Sequence, residues 1–221
     1  MSETSTRLVP YITAREGEEG ELQSALRASF TERGRSRLGY WHETPQDRGT
    51  RGELWGRCSQ NIGPDRMPVG RPKWRMVHPS RQRETMMKLR CQACVGPAKI
   101  GDANLFLESP QPTPNQRILT AQPPFCLQHA VAAAAQCPHL RNGHVALLAD
   151  CAPLYGVIGT PYQWSSNGIR ALPADDEPLP FSSPMLPWFL ASQLVREVRD
   201  YTVVDLHDLI EAMAADSTLG R

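Results

Sequence analysis

Arg90-Cys91-Gln92-Ala93-Cys94-Val95-Gly96 and Pro123-Pro124-Phe125-Cys126-Leu127-Gln128-His129 are the two stretches that decide how this chain folds. Their spacing is Cys-x2-Cys, then 31 residues, then Cys-x2-His. Zinc takes four thiolate or imidazole ligands at tetrahedral corners, and a two-residue gap lets both donors of one turn reach a single ion. In the first stretch Gly96 is expected to supply the positive φ of a tight knuckle, with backbone N–H groups aimed at the sulfurs. In the second, the alanine-rich run 130–135 behind a pair of prolines predicts a helix whose first turn carries Cys126 and His129. Between them, 104–108 and 117–120 are expected to form two strands of a hairpin around a turn stiffened by Pro110, Pro112, Pro114 and Asn115. Knuckle, hairpin and ligand-bearing helix are the parts of a treble clef. The expected metal ligands are Cys91, Cys94, Cys126 and His129, with Cys137 and His139 as alternatives for the fourth place.

Other uses of these residues fit less well. Paired cysteines in a secreted chain suggest disulfides, but Cys58, Cys137 and Cys151 leave an odd remainder, which suits free thiols in a reducing compartment. A thioredoxin-like redox pair needs a βαβ setting that is not present around Cys91 and Cys94. A catalytic zinc needs an open coordination position and a general base. The chain has no His-Glu-x-x-His, and the deaminase pattern fails because Arg90 precedes Cys91 and no His-x-Glu lies upstream. HNH-type nucleases also use a treble clef, but with a catalytic histidine on the hairpin, and 97–122 contain none. The expected cofactor is therefore structural Zn2+.

The 221 residues are 40% apolar with five Trp, enough for a real core. The longest apolar stretch, 145–159, is interrupted by Asp150 and Pro153, so no membrane span is expected. Residues 1–7 lack the basic flank and apolar run of a signal peptide, and the expected location is cytoplasmic. Absence of a P-loop, of Gly-x-Gly-x-x-Gly and of Gly-x-Ser-x-Gly argues against a nucleotide-dependent enzyme or a serine hydrolase.

The fold class expected is α+β, with small irregular domains organised around the treble-clef zinc site. Three segments of one compact unit are read: 1–80 as an N-terminal α+β segment with a basic arm, 81–140 as the zinc module, and 141–221 as a C-terminal α+β segment packed on it. Helical sequence is expected at 18–33 and 81–89. A strand is expected at 51–58, an exposed loop at 61–73, strands at 145–149 and 155–159, and loop at 160–184. From Pro187, apolar residues at Phe189, Leu190, Leu194, Val195 and Val198 suggest one stripe of a helix. A strand at 201–204 and a helix at 206–213 capped by Asp205 follow.

Several of these features together carry a resemblance: Arg81-Gln82-Arg83 ahead of Cys91-Gln92-Ala93-Cys94, the Pro123 to Ala130 helix start, Cys137-Pro138-His139-Leu140, and Leu190 to Glu197. Over about residues 50–210 the chain resembles a group of uncharacterised actinobacterial zinc-finger-like (treble-clef) proteins of unknown function. In that group the fourth ligand is often cysteine where this chain has His129. The resemblance implies the metal and no activity.

Charge supplies the remaining clue to function. Net charge is +1, but 66–90 hold eight basic residues against Glu84, while 171–216 hold nine acids against Arg196 and Arg199. Basic residues around Trp74, leading into a zinc element, suit a phosphate backbone with a stacking aromatic. The bland reading is a solvated face, or an arm paired with the acidic C-terminus. The nucleic-acid candidates are Arg71, Lys73, Arg75, Arg81 and Arg83. His78, beside a proline, reads as a packed residue rather than a general base. The leading expectation is a zinc-stabilised, non-enzymatic binding or regulatory protein that contacts DNA or RNA through the 66–90 arm. A protein–protein adaptor, or an enzyme of unrecognised class with a cleft beside the zinc module, are the alternatives.

Overall fold

The computed structural model of the chain describes residues 7–110 and 117–219. The expected proline-stiffened turn and the extreme N-terminus lie outside the described residues. Thirteen strands and four α-helices are seen there. The first half carries β1 (Thr13–Arg15), β2 (Leu26–Phe30), β3 (Ser36–Tyr40), β4 (Leu54–Trp55), β5 (Pro72–Val77), α1 (Pro79–Lys88), β6 (Lys99–Ile100) and β7 (Ala103–Glu108). There follow β8 (Ile118–Thr120), α2 (Leu127–Gln136), α3 (Pro138–Arg141), β9 (Val145–Cys151), β10 (Leu154–Ser165), β11 (Gly168–Ala171), β12 (Leu179–Pro180), β13 (Phe189–Val204) and α4 (Leu206–Leu219). The class is α+β.

The chain divides into two compact units that interleave in sequence rather than follow one another. The first comprises 1–11, 85–153 and 196–221, the second 12–84 and 154–195, so the boundaries fall inside α1 and β13. These ranges do not coincide with the segments 1–80, 81–140 and 141–221 suggested by composition.

In the first unit β7 pairs antiparallel with β6 and β9, and the 199–204 part of β13 pairs with β9. Alternation sorts the side chains onto two covered faces. Leu105 and Leu107 of β7 and Ala146 of β9 pack with Cys91, Phe125, Ala130 and Ala133, the layer that carries the cysteines. Phe106, Leu147 and Ala149 face the other way, onto Ile118 and Val198. In the second unit β2 and β3 form a hairpin, β1 pairs with β5, and β10 pairs with β11, β12 and the N-terminal part of β13. Its core is Leu26, Leu38, Tyr40, Leu54 and Tyr162.

Several expectations are corrected. Residues 189–198 are not a helix but part of the 16-residue strand β13. Its side chains are buried on both faces, with Ala191, Leu194 and Val195 almost wholly inaccessible, so apolar residues need not alternate and the run mimics a helical stripe. Residues 18–33 are not helical: Gly20 interrupts them, one 3-10 turn covers Gln23–Ala25, and β2 finds its backbone partners on β3 from Leu26↔Tyr40 to Phe30↔Ser36. The stretches 104–108 and 117–120 are strands, but not partners in one hairpin. β8 pairs with β13 at 196–198, while β7 makes a tight hairpin with β6 across Gly101, which takes a positive φ of 60°. Residues 160–184 are not loop alone; β10 runs to Ser165 and returns as β11 from Gly168 through the turn 166–167. Asn-Gly between alternating residues is a hairpin signal that the sequence did contain.

Other elements stand as expected. A strand lies within 51–58, α1 covers 81–88, and β9 and β10 include both predicted strands. Residues 201–204 close β13, and Asp205 Oδ1 accepts the N–H of His207 at 2.7 Å and of Asp208 at 3.3 Å, capping α4.

Candidate metal centre

The first half-site begins where α1 stops. Leu89 turns left-handed (φ 49°) and Arg90 N–H returns to Thr85 O at 2.9 Å, which ends the helix and delivers Cys91 into the core. Cys91 N–H then bonds Gly96 O at 2.9 Å and Val95 N–H bonds Cys91 O at 2.8 Å, closing the knuckle. The residue with positive φ is Val95 (63°), not Gly96 as expected. A β-branched residue is strained there, and the Arg90 guanidinium, donating to Val95 O at 3.1 Å, helps to hold it. Gly96 is needed for closeness: an added Cβ would lie 3.2 Å from Cys94 Sγ, and its N–H serves that sulfur.

The second half-site is built on α2. Cys126 is the N-cap, in extended conformation, and its carbonyl accepts Ala130 N–H at 2.9 Å. His129 follows in the first turn with Nδ1 3.0 Å from Cys126 Sγ. The helix N-terminus puts partial positive charge beside the Cys126 sulfur, which also receives His129 N–H.

Gln92 joins the halves. Its backbone N–H bonds Pro124 O at 2.9 Å and its buried amide donates to Pro123 O at 2.7 Å, while Phe125 N–H bonds Leu105 O at 2.8 Å. The knuckle, the Pro123-Pro124 approach and β7 are thus tied together just outside the cysteines. Sequence reading missed Gln92; its place between the two cysteines was the only signal.

The result is that donor atoms of Cys91, Cys94, Cys126 and His129 all lie within 4.8 Å of one another. A tetrahedron with bonds of about 2.0–2.3 Å to N and S has edges of roughly 3.5–3.8 Å, so small side-chain adjustments complete it. Cys137 and His139 are not in this cluster, which leaves His129 as the fourth donor. Without a cation the Cys94 and Cys126 thiols resist ionisation. Burial pushes the Cys126 thiol up to about 12, helped by Cys91 and Cys94, and burial likewise raises Cys94. A dication reverses that balance, because deprotonated sulfur is then the better partner. Three thiols, one imidazole and their N–H donors are a donor set suited to a metal ion.

The candidate nucleic-acid residues have diverse surroundings. Arg71 and Arg75 are exposed, whereas the Lys73 ammonium donates to Glu18 O at 2.8 Å. Arg81 is buried, forked onto Glu18 at 2.5 and 2.7 Å and donating to Thr13 O at 2.9 Å. Arg83 lies over the Trp55 ring at 4.7 Å and donates to the Gln46 and Arg48 carbonyls. Arg81 is therefore a structural cation and not part of an exposed arm. His78 is fully buried; its Nε2 donates to Ser59 O at 3.0 Å, and burial lowers its pKa. It is the packed residue expected.

His207, Asp208 and Glu211 also gather on α4, but all three are exposed, with no buried donor among them. No helix among the described residues is long and apolar enough to cross a membrane. The chain matches no protein-family model, no curated protein and no solved structure.

Proposed function

We propose that Cys91, Cys94, Cys126 and His129 hold one structural zinc ion in a treble-clef-like module, and that the chain is a non-enzymatic binding protein with nucleic acid as its ligand. The observation that carries the metal half is the convergence of three thiols and an imidazole onto one point from a knuckle and a helix N-terminus. Zinc supplies cross-linking here: it joins the α1–β6 connection to α2, and with four protein ligands no position is open for chemistry. The β6–β7 hairpin between the two half-sites in sequence supports the treble-clef-like reading. Nucleic-acid contact rests on Arg71 and Arg75, exposed on and beside β5 with Trp74 between them. The adaptor reading is favoured by a different feature, the exposed Tyr201 and Val203 of β13 and Ile210 and Met213 of α4.

Metal analysis of the purified protein tests the first half: one zinc per chain is expected. Folding and ligand assembly are linked, so Cys91→Ser and Cys126→Ser reduce soluble yield and bound zinc, whereas Cys58→Ser changes neither. Zinc-free protein with unchanged far-UV circular dichroism refutes it. Retention on single- and double-stranded oligonucleotides at low ionic strength tests the second half, and no retention of either moves the weight to the adaptor.

A further inference from the structure

The basic arm is not the only place where arginines meet exposed aromatics. Two turns of the second unit, 31–35 between β2 and β3 and 166–167 between β10 and β11, end beside one another through Phe30 and Trp164. Their rings meet edge-on with centroids 5.8 Å apart, and Trp188 stacks on Trp164 at 6.2 Å and 14°. Phe30 nevertheless remains 59% exposed and Trp164 48%. Burying such rings is among the larger stabilisations open to a protein, so fixing them in a stack while leaving them wet favours a ligand over the fold. Along β2 the positions Leu26, Ala28 and Phe30 share a face, and Leu26 belongs to the core that Trp188 covers. The exposed pair is thus a rigid extension of that core.

Beside the rings is an open pocket of about 460 Å³ lined by Phe30, Thr31, Glu32, Arg33, Arg35 and Arg37. Its lining residues carry three guanidinium groups and one carboxylate. Arg37 is shared with Glu43 at 3.2 Å, but Arg33 and Arg35 are exposed with no side-chain partner among the described residues. The turn that presents them is fixed by Thr31 N–H to Arg35 O at 2.9 Å and Arg35 N–H to Thr31 Oγ1 at 3.1 Å.

Resting on the nucleic-acid reading above, the geometry points to a single-stranded nucleic-acid site here, with unpaired bases stacking on Phe30 and Trp164 and phosphates meeting Arg33 and Arg35. The charge of the turn selects a polyanion, and the aromatic stack selects a polyanion with free planar faces. A duplex offers phosphates but hides its bases, so it gains only half of the site. An acidic protein likewise gains only the charged half, without the rings.

The test uses the full chain, loaded with zinc, and fluorescence anisotropy with a labelled 12-nucleotide single strand and the corresponding duplex over a range of salt. Single-strand binding is expected to exceed duplex binding and to quench tryptophan emission. Arg33→Ala with Arg35→Ala, on an exposed turn, is expected to reduce the log–log salt slope by about 1.4, two contacts at about 0.7 each. Trp164→Ala is expected to weaken single-strand binding by roughly 5- to 150-fold with little effect on the duplex. Should Trp164→Ala fail to fold, Phe30→Ala substitutes for it. Binding lost in Arg71→Ala with Arg75→Ala, but unchanged in the turn and ring variants, overturns this site and leaves the nucleic-acid reading standing. Wild-type protein that binds neither strand form at low salt overturns both, and equal loss for single strand and duplex in the ring variant overturns the stacking role.

Discussion

Arg81→Met removes the cation from the most deeply buried ion pair of the second unit. The Arg81 and Glu18 side chains are 1% and 0% exposed, joined by two parallel bonds at 2.5 and 2.7 Å. Glu18 also accepts Arg15 N–H at 2.7 Å and Asn61 N–H at 3.1 Å, so it ties β1 to the 59–61 loop and to α1. Methionine fills much of the volume but takes the hydrogen-bonded counter-charge from a buried carboxylate, leaving it only the attraction of Arg15, a loss of about 3–5 kcal/mol. That is a large part of an overall stability of about 5–15 kcal/mol. With a urea dependence of about 2 kcal/mol per molar, the midpoint should fall by roughly 1.5–2.5 M. All five tryptophans, Trp41, Trp55, Trp74, Trp164 and Trp188, belong to the second unit, so their fluorescence reads this transition selectively. The pH dependence gives an independent check. Burial raises the Glu18 pKa, but the Arg81 bonds and the two backbone N–H groups outweigh it and hold the group at about 2, below its ordinary value of 4.5. A depressed carboxylate pKa contributes stability above the unfolded-state pKa of about 4.3 and loses it as pH falls through the folded value. The variant lacks the main source of that depression, so its deficit against wild type should narrow between pH 5 and about pH 2. A midpoint shift under about 0.5 M, or a deficit that stays constant with pH, refutes the assignment of a buried charged pair.

Two further substitutions test the fold, one in each unit. Gly159→Ala puts a Cβ into the Leu190 carbonyl and the Ala191 backbone, which cannot move without parting β10 from β13, so soluble expression should collapse; normal yield and an unchanged melting temperature would show that the strands do not approach as described. Asp205→Ala deletes the acceptor for two N–H groups at the start of α4, and loss of such a cap costs about 0.5–2 kcal/mol, to be read as faster amide hydrogen exchange at His207 and Asp208.

The convergence of Cys91, Cys94, Cys126 and His129 was legible in the chain because its geometry is local. A two-residue gap sets the reach of each pair of donors, prolines before Cys126 and alanines after it set a helix start, and Asp205 sets another, all without distant partners. What the sequence could not decide was which strand lies beside which. Phe189 to Val198 has the apolar spacing of a helix because both faces of that part of the strand are covered, and coverage depends on elements far away in sequence. For the same reason 104–108 and 117–120 read as partners although their hydrogen bonds go to β9 and β13. Charge behaved likewise: Arg81 looks equivalent to Arg71 and Arg75 in the sequence, and only the arrival of Glu18, 63 residues away, turns it into a buried structural cation. Composition counts charges, but tertiary contacts decide which remain free for a partner, because a guanidinium withdrawn from water must find a counter-charge or hydrogen-bond acceptors where it lies.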